Sequence, residues 1–165
     1  MRCRTFDEIM SDYPEKQTLS AYAAKRLPAN IKDVMERLVN KKLSADCIFE
    51  EDSDVYLYLN LDDADKYVLI ASSGQGDEWL LKLSDNTVWF LDHGEWEEPE
   101  GLKPLEISFE EFVIMADLLD QSEKEHPYPR SKEATIHVKE LLRSINEHLV
   151  WNYPFAISDD WMDDM

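Results

Sequence analysis

The sequence predicts an α+β fold: an antiparallel sheet of about five or six strands flanked by N-terminal and C-terminal helices. Three observations lead there. Apolar residues recur at helical spacing near both ends of the chain. Between those stretches the period drops to two, in short runs that follow one another as hairpins. The joints between runs are made of Gly, Asn, Asp, Ser and Pro, the residues that tight turns need.

At the N-terminus, Thr5-Phe6-Asp7-Glu8 has capping-box spacing, and Phe6, Ile9 and Met10 form a short apolar face. A brief helix ending near Tyr13-Pro14 is expected, with another turn or two over 18–26. Leu27-Pro28 opens a longer helix, because proline suits a first helical turn, and Ile31, Val34, Met35 and Leu38 repeat at i, i+3, i+4 and i+7. Residues 55–61 alternate, with Val55, Leu57, Leu59 and Leu61 on one face and Tyr56, Tyr58 and Asn60 on the other. The turn Asp62-Asp63-Ala64-Asp65 leads to 67–71, which reads as a strand buried on both faces. Strands over 79–83 and 87–91 meet at Ser84-Asp85-Asn86.

Residues 94–104 read as an acidic loop punctuated by glycine and proline, and Ile107 as the end of a last edge strand. Ser108 with Glu111 makes a second capping box, followed by the buried positions Phe109, Phe112, Val113, Ala116 and Leu119. His126-Pro127-Tyr128-Pro129 breaks the chain. Ser131 then caps a final helix with the stripe Ala134, Val138, Leu141, Leu142, Ile145 and Leu149. The tail Trp151-Asn152-Tyr153-Pro154-Phe155 is too aromatic to be left in water and is expected to pack back.

At 165 residues, 44% apolar and 11% aromatic, the chain has the size and composition of one folded domain, 1–165. No uncharged run approaches the roughly 20 residues of a membrane helix. The start has positive charge but no apolar stretch behind it, so a signal peptide is not expected. Cys3 and Cys47 have neither zinc nor redox spacing, and free thiols in a reducing cytoplasm are the plain reading. Net charge is −19 and lopsided: residues 1–42 carry +3 and residues 43–165 carry −22. Such a surface repels nucleic acid and anionic lipid and attracts cationic partners, although acidity can also serve solubility alone.

Residues 68–112 carry the most information. They run Val68-Leu69-Ile70-Ala71-Ser72-Ser73, Gly74-Gln75-Gly76-Asp77, Trp79-Leu80-Leu81-Lys82-Leu83, Val88-Trp89-Phe90-Leu91-Asp92-His93 and, after a gap, Ser108-Phe109-Glu110-Glu111-Phe112. In order and spacing this stretch resembles the SUKH superfamily. Many bacterial members of that family are immunity proteins that bind and block a toxin, and its fungal members regulate cell-wall synthesis. The resemblance implies the same α+β architecture, a SUKH-like domain over 1–165 with a helical C-terminal extension from about 121. It also implies structural roles for Gly74, Gly76, Asp77, Trp79, Asp92, Ser108, Phe109 and Phe112. The chain departs from the family where Asn40-Lys41-Lys42-Leu43 lacks the glycine-rich turn often found after the first long helix, and in its extension beyond Gln121.

Catalytic signals are poor. Gly74-Gln75-Gly76-Asp77 lacks the Lys-Ser/Thr of a phosphate loop and precedes a strand, so a turn is favoured, with Asp77 accepting backbone N–H groups. Glu50-Glu51-Asp52-Ser53-Asp54 lacks the glycine and closing glutamate of a calcium loop. His93 stands outside any metal or acid–base motif and reads as a surface or sheet-edge histidine. No catalytic residue, metal or cofactor is therefore expected, and the chain reads as a non-enzyme.

Partner contacts are expected at two acidic clusters. One comprises Glu50, Glu51, Asp52 and Asp54 with Asp62, Asp63 and Asp65; the other comprises Glu95, Glu97 and Glu98 around Trp96. Trp96 is either an interface anchor with a charged rim or a lid folded on the sheet. The leading expectation is a cytoplasmic, monomeric immunity protein for a basic toxin domain, possible nucleases among them. A regulatory interaction protein of the same fold with no toxin partner is the alternative.

Overall fold

The structure, a computed structural model, describes residues 1–51, 64–94, 102–127, 130–155 and 157. Three helices come first: α1 (Phe6–Met10), α2 (Ala21–Arg26) and α3 (Ala29–Leu38). Six strands follow, β1 (Lys42–Ser44), β2 (Cys47–Phe49), β3 (Tyr67–Ser72), β4 (Glu78–Lys82), β5 (Thr87–Leu91) and β6 (Leu102–Ser108). Then come α4 (Phe109–Glu125), α5 (Lys132–Ile145) and α6 (Leu149–Asn152). The strands form one antiparallel meander in the order β1-β2-β3-β4-β5-β6, which is the α+β architecture expected.

Local chemistry sets the helix starts. Thr5 and Ser108 each accept the N–H of a glutamate three residues on, and each glutamate returns to its cap's N–H. Ser20 caps α2 and Ser131 caps α5 in the simpler one-way form. α1 stops at Met10, short of the expected Tyr13. Pro28 takes the cap position of α3, not its first turn.

The sheet packs on α4 through alternation. Trp79 and Leu81 of β4 face the helices, while Leu80 points to the opposite face and joins Tyr67, Leu69 and Leu91 there. At the centre of the helix side, the Trp79 ring lies 4.9 Å from Phe90 and 5.1 Å from Phe112. Phe155 packs on Trp79 at 6.2 Å and on Phe90 at 5.4 Å. The tail thus packs back through Tyr153, Phe155 and Ile157, as expected, but Trp151 does not: it is 79% exposed. α6 turns that one side chain outward.

Several elements depart from the sequence reading. The predicted strand over 55–61, the turn residues 62 and 63 and the loop over 95–101 lie outside the described residues. β1 and β2, three residues each, were not anticipated. β6 begins at Leu102, inside the expected loop, and carries Pro104. Proline is tolerated there because β6 pairs with β5 alone, so no second ladder needs its missing N–H. The outer edge is closed instead by amides: Asn152 donates to the Leu105 carbonyl at 3.0 Å and Asn146 to the Glu106 carbonyl at 3.3 Å. α5 ends at Ile145, so Leu149 belongs to α6 and not to one long final helix. Asn40 has φ 66°, supplying at the α3–β1 joint the left-handed geometry that a glycine would otherwise provide.

In the β3–β4 turn only Gly76 needs glycine's freedom, at φ +96°; Gly74 has no such angle. A Cβ on Gly76 would meet the His93 ring at 3.8 Å, ordinary contact, so any cost of a side chain is backbone strain and not collision. Gly76→Val is expected to destabilise the fold by about 1–3 kcal/mol, since a branched residue is poorly suited to that region. Gly74→Ala should be close to neutral. Paired thermal melts test this, and equal melting of the two variants would remove the special role of Gly76.

Candidate functional site

The β3–β4 turn is organised by two side chains. Ser73 Oγ accepts the N–H groups of Gln75 and Asp77, both at 3.1 Å, and donates to Asp77 Oδ2 at 3.0 Å. Asp77, buried, uses Oδ1 to accept the backbone N–H of His93 at 3.0 Å and its ring Nδ1–H at 2.5 Å. The sequence reading gave Asp77 the turn's own N–H groups. They go to Ser73, which frees the carboxylate to bind the end of β5 sixteen residues on.

Burial works to raise the Asp77 carboxyl, but the His93 ring, the His93 N–H and the Ser73 hydroxyl together hold it below the usual carboxylate range. The same ring bond and the carboxylate charge raise the imidazole of His93. His93 is thus an exposed surface histidine just past the end of β5, as expected, but one anchored at Nδ1. Ligand atoms of Asp77, Asp92 and His93 come within 4.8 Å of one another. Part of this donor set is already engaged: Asp77 Oδ1 on His93, and Asp92 Oδ1 on the Gly94 N–H at 2.8 Å. The trio reads as a clasp between two strand ends.

The two acidic clusters divide unevenly. Asp65 is exposed in a 3-10 turn, Ala64–Lys66, ahead of β3. Glu50 is half-buried beyond β2, its N–H on the Ile70 carbonyl at 3.3 Å. Glu51 is held by the fold: its carboxylate accepts the N–H and hydroxyl of Ser20 at 2.6 Å and 3.1 Å, tying the start of α2 to the end of β2. Asp52, Asp54, Asp62, Asp63, Glu95, Trp96, Glu97 and Glu98 lie outside the described residues. Of the motif residues, Trp79, Phe109 and Phe112 are core, and Ser108 caps α4.

Folding assembles a further feature that the sequence did not suggest. A groove of about 860 Å³ opens between α1, α3, the β4–β5 turn and the β6–α4 joint. Its floor is apolar, with Phe6, Met10, Ile31, Val34, Ile107 and Phe109. Five carboxylates line it, Asp7, Asp33, Asp85, Glu106 and Glu110, against one cation, Arg37. Two non-glycine residues at positive φ shape its wall, Asn86 at 57° and Glu106 at 62°. The first ends a tight hairpin in which Asp85 Oδ1 accepts the N–H and hydroxyl of Thr87. The second marks the bulge where Pro104 and Ser108 of β6 oppose Trp89 and Thr87 of β5.

No protein-family model, curated protein or solved structure matches the chain. Among the described residues, no helix is long and apolar enough to cross a membrane.

Proposed function

We propose that the chain is a non-catalytic binding protein of the SUKH type, an immunity protein that binds and neutralises a basic toxin domain in the cytoplasm. The observation that carries this reading is charge, −22 over residues 43–165, in a chain built round an antiparallel meander. A toxin that acts on nucleic acid must present a basic surface to phosphates, and carboxylates on a rigid scaffold can occupy that surface in their place. The clasp of Ser73, Asp77 and His93 suits the same role, because it stiffens the hairpin without leaving a free nucleophile–base pair.

The test is co-expression with any basic polypeptide found to be encoded beside this gene, followed by binding kinetics on the purified pair. Growth should be rescued, and the association rate should fall by roughly tenfold or more from low to high salt while dissociation changes much less. An acidic partner, or an association rate that ignores salt, would refute the proposal. Absence of any toxin beside the gene would favour the regulatory alternative.

A further inference from the structure

We infer that the groove between α1, α3, the β4–β5 turn and the β6–α4 joint receives a basic amphipathic segment of a partner protein, one that places an apolar side chain between flanking lysines or arginines. The assignment rests on reading the chain as a binder of a basic protein, and it names where that partner is held. It differs from the loop clusters that the sequence offers as contact sites.

The occupant follows from what lines the groove. An apolar floor calls for an apolar side chain, and the volume admits a few residues of peptide and no folded element. The rim sets the charge. Asp7, Glu106 and Glu110 are exposed and form no ion pair with any described residue. Asp33 is shared with Lys16. Arg37, the one cation, is withdrawn into the wall, where its guanidinium donates to the Tyr13 carbonyl at 2.7 Å and the Met10 carbonyl at 2.5 Å. It cannot turn to receive an anion without breaking both bonds.

Three helices begin at this groove, and helix starts ordinarily attract anions. The starts of α1 and α4 are closed, while α3 begins after Pro28 with no side-chain cap and no acidic residue in its first turn. The caps Thr5 and Ser108 take up N–H groups in their first turns, and those turns carry Asp7, Glu8, Glu110 and Glu111. At the starts of α1 and α4 a phosphate would meet carboxylates instead of free donors. A lysine or arginine meets the opposite: three carboxylates from three separate segments, none of them ion-paired among the described residues. A further acceptor waits at the wall, because Asn86 Oδ1 is buried without a donor among the described residues.

The probe is a fluorescent peptide of about 12 residues alternating lysine with leucine and phenylalanine, titrated by anisotropy against the full chain. The test variant combines Asp7→Asn, Glu106→Asn and Glu110→Gln; asparagine is chosen at 106 because it accepts positive φ. The control variant, Glu125→Gln with Glu133→Gln and Glu140→Gln, removes the same charge elsewhere on exposed positions. Thermal melts establish that both are folded. The groove variant should bind at least about tenfold more weakly and the control should change by less than about threefold. Replacing the peptide's apolar residues by serine should also weaken binding about tenfold or more.

Equal losses in the two variants would overturn the groove and leave the binding-protein reading standing. So would indifference to the peptide's apolar residues. If the wild-type chain binds a basic protein encoded beside it but no such peptide, the groove alone falls; if it binds neither, both readings fall. Self-association that the groove variant abolishes would make the occupant a second copy of this chain and would also overturn the assignment.

Discussion

Trp79→Ala should cost the fold about 3–5 kcal/mol, the range for deleting a large buried aromatic. Trp79 is fully buried and touches elements distant in sequence: Phe90 on β5, Phe112 on α4 and Phe155 in the tail. Its indole N–H donates to the Asp46 carbonyl at 2.7 Å, so the ring also anchors the β1–β2 turn. Truncation therefore opens a cavity that a sheet and a helix cannot both collapse into, and it orphans a carbonyl. Against a typical stability of about 5–15 kcal/mol, such a loss lowers the melting temperature by roughly 6–20 °C. Trp79→Phe separates the two contributions, because it keeps most of the ring and loses the N–H bond, for about 1–3 kcal/mol. Urea denaturation of the two variants measures both. A loss below about 1 kcal/mol for Trp79→Ala would mean that the sheet does not close on this residue.

That centre was legible in the sequence because Trp79 lies on an alternating strand bounded by turn residues, and Phe112 follows a capping box; both signals are local. What was not legible depended on partners far along the chain. β1 and β2 are too short for a period to register. Pro104 reads as a breaker until β6 is known to be an edge strand whose outer carbonyls are bonded by Asn146 and Asn152. The stripe through Leu149 keeps helical spacing across Asn146, yet the backbone there is extended, and Trp151 is turned outward as a result. The sequence shows that no glycine follows α3, but not that Asn40 takes the left-handed angle a glycine would supply.

The groove shows the same limit more sharply. Its carboxylates come from α1, α3, the β4–β5 turn, β6 and α4, and in the sequence each is one acidic residue among thirty-six. Only the cap residues at 5 and 108 hinted that two helix starts would be closed to anions. Conversely, Glu51 belonged to the densest acidic run in the chain, and the fold uses it to hold Ser20. Charge density along a sequence and charge available on a surface are different quantities, because hydrogen bonding removes carboxylates one at a time.

Asp77→Ala should destabilise the fold by about 2–4 kcal/mol, because three hydrogen bonds to a buried carboxylate are lost together and a net value of about 1.5–3 kcal/mol attaches to a bond with a charged group. The sum stays below three full bonds because they share one side chain. His93→Ala should cost less, since its ring is exposed and the backbone N–H bond to Asp77 survives. The two variants are further distinguished by pH. The Asp77 carboxyl is held below its unfolded value, so its contribution is complete above about pH 4 and is lost as pH falls through the folded value. The His93 imidazole is held above its unfolded value, so its contribution is complete below about pH 6.5 and is lost as pH rises through the folded value. Between those limits both are present, and the melting-temperature gap between wild type and Asp77→Ala should be widest there. Above that window the gap narrows by the His93 share, while the Asp77 bonds to the His93 N–H and the Ser73 hydroxyl persist. Melts across the acid-to-alkaline range test this directly. A gap that stays flat through both windows would show that Asp77 holds the β3–β4 turn through shape alone, and that its bond to the His93 ring contributes nothing to the closure of the hairpin.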